Sequence, residues 1–116
     1  MFESWRADIV ELGRCGNVAV KLGGLGMPRT GFPFASAETP VPSEELASAW
    51  RPYIETCIEA FTPARCMFES NFPVDMGSCS YATLWNAFKH VAKGCSAQEK
   101  TALFSGTATQ TYRLEL

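Results

Sequence analysis

Histidine is almost missing from this sequence: His90 is the only one in 116 residues. A centre built on several imidazoles is therefore not contained in these residues. Charge is sparse as well. Charged side chains make up 19% of the chain and the formal net charge is -2, so no basic surplus exists to draw in nucleic acid or an anionic membrane. No apolar run approaches the roughly 20 residues that span a bilayer. There is no CxxC pair. The five cysteines, at 15, 57, 66, 79 and 95, are widely and irregularly spaced, and an odd count argues against a complete disulfide framework. They read as reduced thiols of a cytoplasmic protein, mostly small core residues and not zinc ligands. The opening stretch MFESWRADIVEL mixes acids with apolar residues, unlike a signal or transit peptide.

What is abundant is apolar and aromatic. Hydrophobic residues make up 47%, including eight Phe, three Trp and three Tyr, enough for the core of one soluble domain. Phe2, Trp5, Ile9 and Leu12 recur at helical steps and predict a helix over 2–13, with Gly13 and Gly16 in its cap region. The β-branched run at 18–22, flanked by turn formers, predicts a buried strand. Its one charge, Lys21, reads as a side chain snorkelling at the strand end.

Gly23-Gly24-Leu25-Gly26 follows at once. A glycine turn after a strand holds phosphate only where a helix starts, and here none does: 27–42 contains four prolines and a glycine and predicts a long irregular loop. Such loops often line pockets. Ser43 predicts an N-cap for a helix from Glu44 through Phe61, interrupted at Pro52. A second strand is expected at 65–69. A helix at about 81–93 carries His90 on a polar face with Asn86, Lys89 and Lys93, where a lone histidine reads as solvated. Ser96 and Glu99 form a capping box that opens a short helix to about Phe104, and a final turn or helix ends near Leu114.

The densest chemical signal is RCMFESNFPVD, Arg65 to Asp75. An apolar strand ends in the polar cluster Glu69-Ser70-Asn71, and Pro73 marks the strand end because it lacks a ladder donor. Polar groups just beyond a buried strand are where α/β enzymes place their chemistry. The alternation of helix and strand predicts parallel strands joined by helical crossovers, yet two strands are too few for a sheet covered on both faces.

NVAVKLGGLGM, the helix ELASAWRPYIETCIEAF, and RCMFESNFPVD followed by SYATLWNAF together resemble the C-terminal portion of the amidohydrolase-related family. These are predicted TIM-barrel metal-dependent hydrolases that include sugar lactonases and dicarboxylate lactonases. The resemblance implies an α/β chain: a C-terminal fragment of a TIM (β/α)8 barrel, with two parallel strands at about 18–22 and 65–69 as the last two barrel strands and flanking helices outside. A complete barrel needs roughly 250 residues, so 1–116 is expected to be a partial domain whose isolated form is inactive. The family's activity is water attack on the carbonyl of a lactone or other cyclic ester or C–N bond. A divalent metal is implied for the complete fold, but the family's ligand histidines do not occur here, and His90 matches none of them.

The family's last strand ends in an aspartate that binds metal or activates water. Asn71 stands at that position. An amide cannot accept a proton from water at neutral pH, though it can orient one. Two carboxylates are candidates to replace it: Asp75, four residues on and otherwise a solvated loop residue, and Glu69. The residues alone leave the choice open. The implied catalytic pair is Asn71 and Asp75, with Lys21, Glu69 and Ser70 as substrate-binding residues, and the partner is a small-molecule substrate. The competing reading is a non-catalytic barrel remnant that binds or assembles through unpaired strand edges.

Overall fold

A computed structural model describes residues 1–115. The chain divides into two compact units: Met1–Leu22, Tyr53–Phe68 and Gly94–Leu116 form the first, and Gly23–Pro52 with Glu69–Lys93 form the second. The helix α2, Ser43–Phe61, contributes residues to both.

The first unit is organised on a parallel pair of strands, β1 (Val20–Leu22) and β2 (Cys66–Phe68), in the register Val20↔Cys66, Lys21↔Met67 and Leu22↔Phe68. Parallel pairing demands a long crossover, and the 43 residues from Gly23 to Arg65 supply it. All three residues of β2 are buried, whereas β1 buries Leu22 and exposes Lys21. Both strands are shorter than the apolar runs suggest, and for β1 the reason is a distant side chain. Arg65, ending a 3₁₀ turn at Pro63–Arg65, donates to the carbonyls of Gly13 (2.7 Å), Cys15 (2.9 Å) and Val18 (3.0 Å). The Val18 carbonyl is thus taken by a side chain, and the Val18 N–H closes a turn onto Cys15.

The helix α1, Phe2–Gly13, carries Phe2 and Trp5 against Tyr53 of α2, with ring centroids 5.1 and 5.0 Å away. Gly13 is the last helical residue and the right-handed Arg14 caps it. Ile54, Cys57 and Phe61 of α2 are buried with β2 and Leu103. At the C-terminal end, α4 (Ala97–Thr101) opens with the expected capping box between Ser96 and Glu99. A π-helical stretch, Ala102–Gly106, then leads into α5 (Thr107–Thr111). The Thr101 and Ser105 hydroxyls bond back to the carbonyls of Ala97 and Thr101, a local competition that distorts helical turns. Buried Thr107 donates to the Pro63 carbonyl at 2.7 Å.

The second unit holds an aromatic core. Trp50, fully buried, packs between Phe34 and Phe88, and Phe88 meets Trp85 edge-on at 5.3 Å. The long loop has only two 3₁₀ turns, Pro28–Thr30 and Pro33–Ser36, each opened by a proline whose fixed φ suits a first helical position. α2 begins at Ser43 itself, one residue earlier than the N-cap reading, because the Pro42 carbonyl receives the N–H groups of Glu45 and Leu46. Pro52 sits inside α2 without ending it. α3, Tyr81–Val91, is capped by Ser80, whose Oγ accepts from the Thr83 N–H at 3.1 Å. A 3₁₀ turn at Ala92–Gly94 replaces the last turn expected of that helix. His90 is not simply solvated: Nε2 lies 3.5 Å from Glu44 Oε1, and the Arg51 guanidinium donates to the His90 and Val91 carbonyls.

Candidate functional site

Beyond β2 the chain passes into the second unit as Glu69-Ser70-Asn71, then a 3₁₀ turn at Val74–Gly77. Asn71 has φ 54°, the left-handed region that asparagine and aspartate tolerate better than other side-chain-bearing residues. That backbone requirement accounts for a residue of this type at position 71 whichever of the two stands there. The Ser70 hydroxyl is used locally, accepting from the Phe72 N–H at 3.2 Å.

Asp75 is the centre of this loop, and it is not a solvated aspartate. It is 1% exposed. One carboxylate oxygen accepts from the Asn71 side-chain amide at 2.8 Å, and the other accepts from the Gly26 N–H at 3.2 Å. Buried Ser78 donates its hydroxyl to the Gly26 carbonyl at 2.6 Å. Both backbone polar groups of Gly26 are therefore bonded to the 75–78 turn. A β-carbon at Gly26 would lie 2.9 Å from Asp75 Cγ, so glycine is required there by the carboxylate itself. Gly23 is under the same constraint from Glu69, whose carbonyl and Oε1 would each lie 2.5 Å from an added β-carbon. The glycine-rich turn makes room for two acidic side chains of the polar loop.

Of the residues singled out in the sequence, the structure joins Asn71 to Asp75 and sets half-buried Glu69 against Gly23. Ser70 serves its own turn, and Lys21 stands exposed at the centre of β1 in the first unit. The sequence reading did not identify Gly26 as a backbone donor or Ser78 as its second partner. Their contacts with the 75–78 turn cross about fifty positions, which no local pattern reports. Cys79 also borders the site. Its thiol is raised above the ordinary range by burial and then by the Asp75 carboxylate.

A divalent metal fits this set poorly. Among the described residues no three His, Cys, Asp or Glu side chains are grouped to hold one. Both Asp75 oxygens are already occupied, and His90 of α3 faces Glu44 of α2.

Two parallel strands joined through a helical crossover are what a piece of a (β/α) barrel presents. The amidohydrolase family profile matches residues 1–114, and the chain belongs to that family. It is 42% identical over 113 residues to the uncharacterized protein y4mH of Sinorhizobium fredii, covering 97% of this chain and 34% of that protein. It is 34% identical over 115 residues to an L-fucono-1,5-lactonase of Burkholderia multivorans, covering 95% and 35% respectively. Two crystal structures of an amidohydrolase from Burkholderia multivorans, one with bound HEPES and one with bound zinc, superpose with TM-scores of 0.84 and 0.79. They are 29% and 28% identical, and the match covers 98% of this chain and 38% of theirs. The chain is a TIM-barrel fragment in fold and spans about a third of the length of these relatives.

Proposed function

We propose that residues 69–75 form one wall of the active site of a hydrolase that opens a lactone, or another cyclic ester or C–N bond, and that 1–116 alone is inactive. The observation that carries this reading is the polar loop itself, a carboxylate and an amide set immediately after a buried strand in a chain of the amidohydrolase family. The lactonase relative supports a lactone as substrate.

The two carboxylates divide the work. Asp75 has both oxygens engaged and no exposure, so it organises the loop. Glu69 is half-buried beside Gly23 and is the proton acceptor in this reading. Water loses a proton to Glu69 as its oxygen bonds to the carbonyl carbon. The ring C–O bond then breaks, and the leaving oxygen takes a proton to become a hydroxyl. Asn71 orients the water or the substrate and accepts no proton. Lys21 and Ser70 remain candidates for substrate contact.

In the whole protein, Glu69→Gln should lower kcat by about two orders of magnitude or more with little change in KM, the usual scale for losing a general base. A kcat within threefold of the parent would remove Glu69 from that role.

A further inference from the structure

A carboxylate offers acceptors only, so the group that Asn71 directs at Asp75 must be its NH₂. The 2.8 Å contact from Nδ2 to Asp75 therefore decides which way the amide lies. Its carbonyl oxygen is then the face left over, and no hydrogen bond from a described residue reaches it. The arrangement is anchored from behind. The second Asp75 oxygen holds the Gly26 N–H, Gly26 cannot carry a side chain, and Ser78 secures the Gly26 carbonyl. The Asn71 backbone is tied into the same turn, its carbonyl accepting from the Asp75 N–H at 3.1 Å.

We propose that Asp75 is a positioning residue for Asn71: it fixes the amide with the NH₂ turned inward and presents Oδ1 as a neutral, fixed acceptor for an O–H donor in the site. The pair thus holds its carboxylate at 75 and an uncharged acceptor at 71. What Oδ1 receives rests on the proposed hydrolase reading; the orientation of the amide does not.

The chemistry of the pair makes its members exchangeable, and each single replacement has its own consequence. With Asp75→Asn alone, the oxygen at 75 keeps the Gly26 N–H and the new NH₂ beside it faces Asn71, so the Asn71 amide turns over and presents its NH₂ where Oδ1 stood. With Asn71→Asp alone, two carboxylates meet where one donor and one acceptor stood. In the double exchange N71D/D75N, the new amide at 75 accepts from Gly26 through its oxygen and donates through its NH₂ to the new carboxylate at 71. Every partner is restored.

The test uses the 1–116 chain and needs no activity, so its failure is separate from failure of the hydrolase reading. Urea unfolding at pH 7 should show Asn71→Asp losing at least tenfold in the folding equilibrium constant, and N71D/D75N returning to within about threefold of the parent. ¹⁵N NMR of the parent should show the Asn71 side-chain NH₂ exchanging with water at least tenfold more slowly than those of exposed Asn17 and Asn86, a difference that Asp75→Asn abolishes. A double variant no more stable than Asn71→Asp alone would overturn the proposal. So would an Asn71 NH₂ that exchanges like the exposed pair.

Discussion

At the scale of single residues, Gly26 serves the polar loop through its backbone alone. Gly26 brings a backbone N–H and a carbonyl against Asp75 and Ser78. Gly26→Ala would set a methyl 2.9 Å from Asp75 Cγ, closer than real β-carbons approach. We expect a loss of about 2–3 kcal/mol, typical of overpacking plus a weakened hydrogen bond, measured as a fall in urea midpoint with unchanged slope. The buried thiols give a second residue-scale outcome. Burial pushes Cys57 up to about 11 and Cys66 up to about 12, the latter helped by neighbouring Cys57 and opposed by Arg65. Below about pH 9, the ordinary thiol value, these groups are neutral in the folded and unfolded chain alike. Above it the unfolded thiols release protons while the folded ones keep theirs. The unfolded state then binds fewer protons, so stability is present below pH 9 and falls from there through the folded values. Cys66→Ala should flatten that decline in unfolding curves taken between pH 8 and 11. Iodoacetamide at pH 8 should modify exposed Cys15 well before Cys57 or Cys66.

At the scale of elements, Arg65 is the tie. Its guanidinium serves three carbonyls at the end of α1 and the approach to β1, and it lies 5.1 Å over the Phe61 ring. One of these carbonyls, that of Gly13, is at the end of α1, where helix termination leaves carbonyls without partners. Arg65→Ala should cost about 2–4 kcal/mol in urea unfolding, since several charge-assisted bonds and a ring contact go together. Arg65→Lys should recover only part, because an ammonium cannot reproduce the planar fork. Helix starts were largely legible in advance: Ser80 and the Ser96/Glu99 box are local devices, and the structure uses both. Strand lengths were not. Val18 and Val20 look alike in sequence, and only Arg65, 47 positions away from Val18, takes the first out of the ladder.

For the whole molecule, the chain matches about a third of its relatives' length and supplies two parallel strands of a barrel architecture. In that architecture the catalytic loops come from the ends of several strands. Purified 1–116 should therefore hydrolyse a panel of sugar lactones no faster than buffer in a pH-stat assay. Turnover at about 1 s⁻¹ or above, the low end of common enzyme rates, would show that the residues of this chain suffice.

The sequence alone determined the elements whose causes are local: helices with an apolar stripe and a capping serine, and a short apolar strand with a polar cluster set just after it, although β2 ends at Phe68 and Pro73 instead opens the 3₁₀ turn at Val74–Gly77. It also determined the family, because order and spacing of those pieces are properties of the chain itself. Only the tertiary structure decided that Asp75 is buried, that it grips Asn71 and Gly26, and that the glycines at 23 and 26 make room for acids. Those facts depend on contacts between segments about fifty residues apart, and the free energy of such a contact is a property of where two segments meet, not of either one's composition.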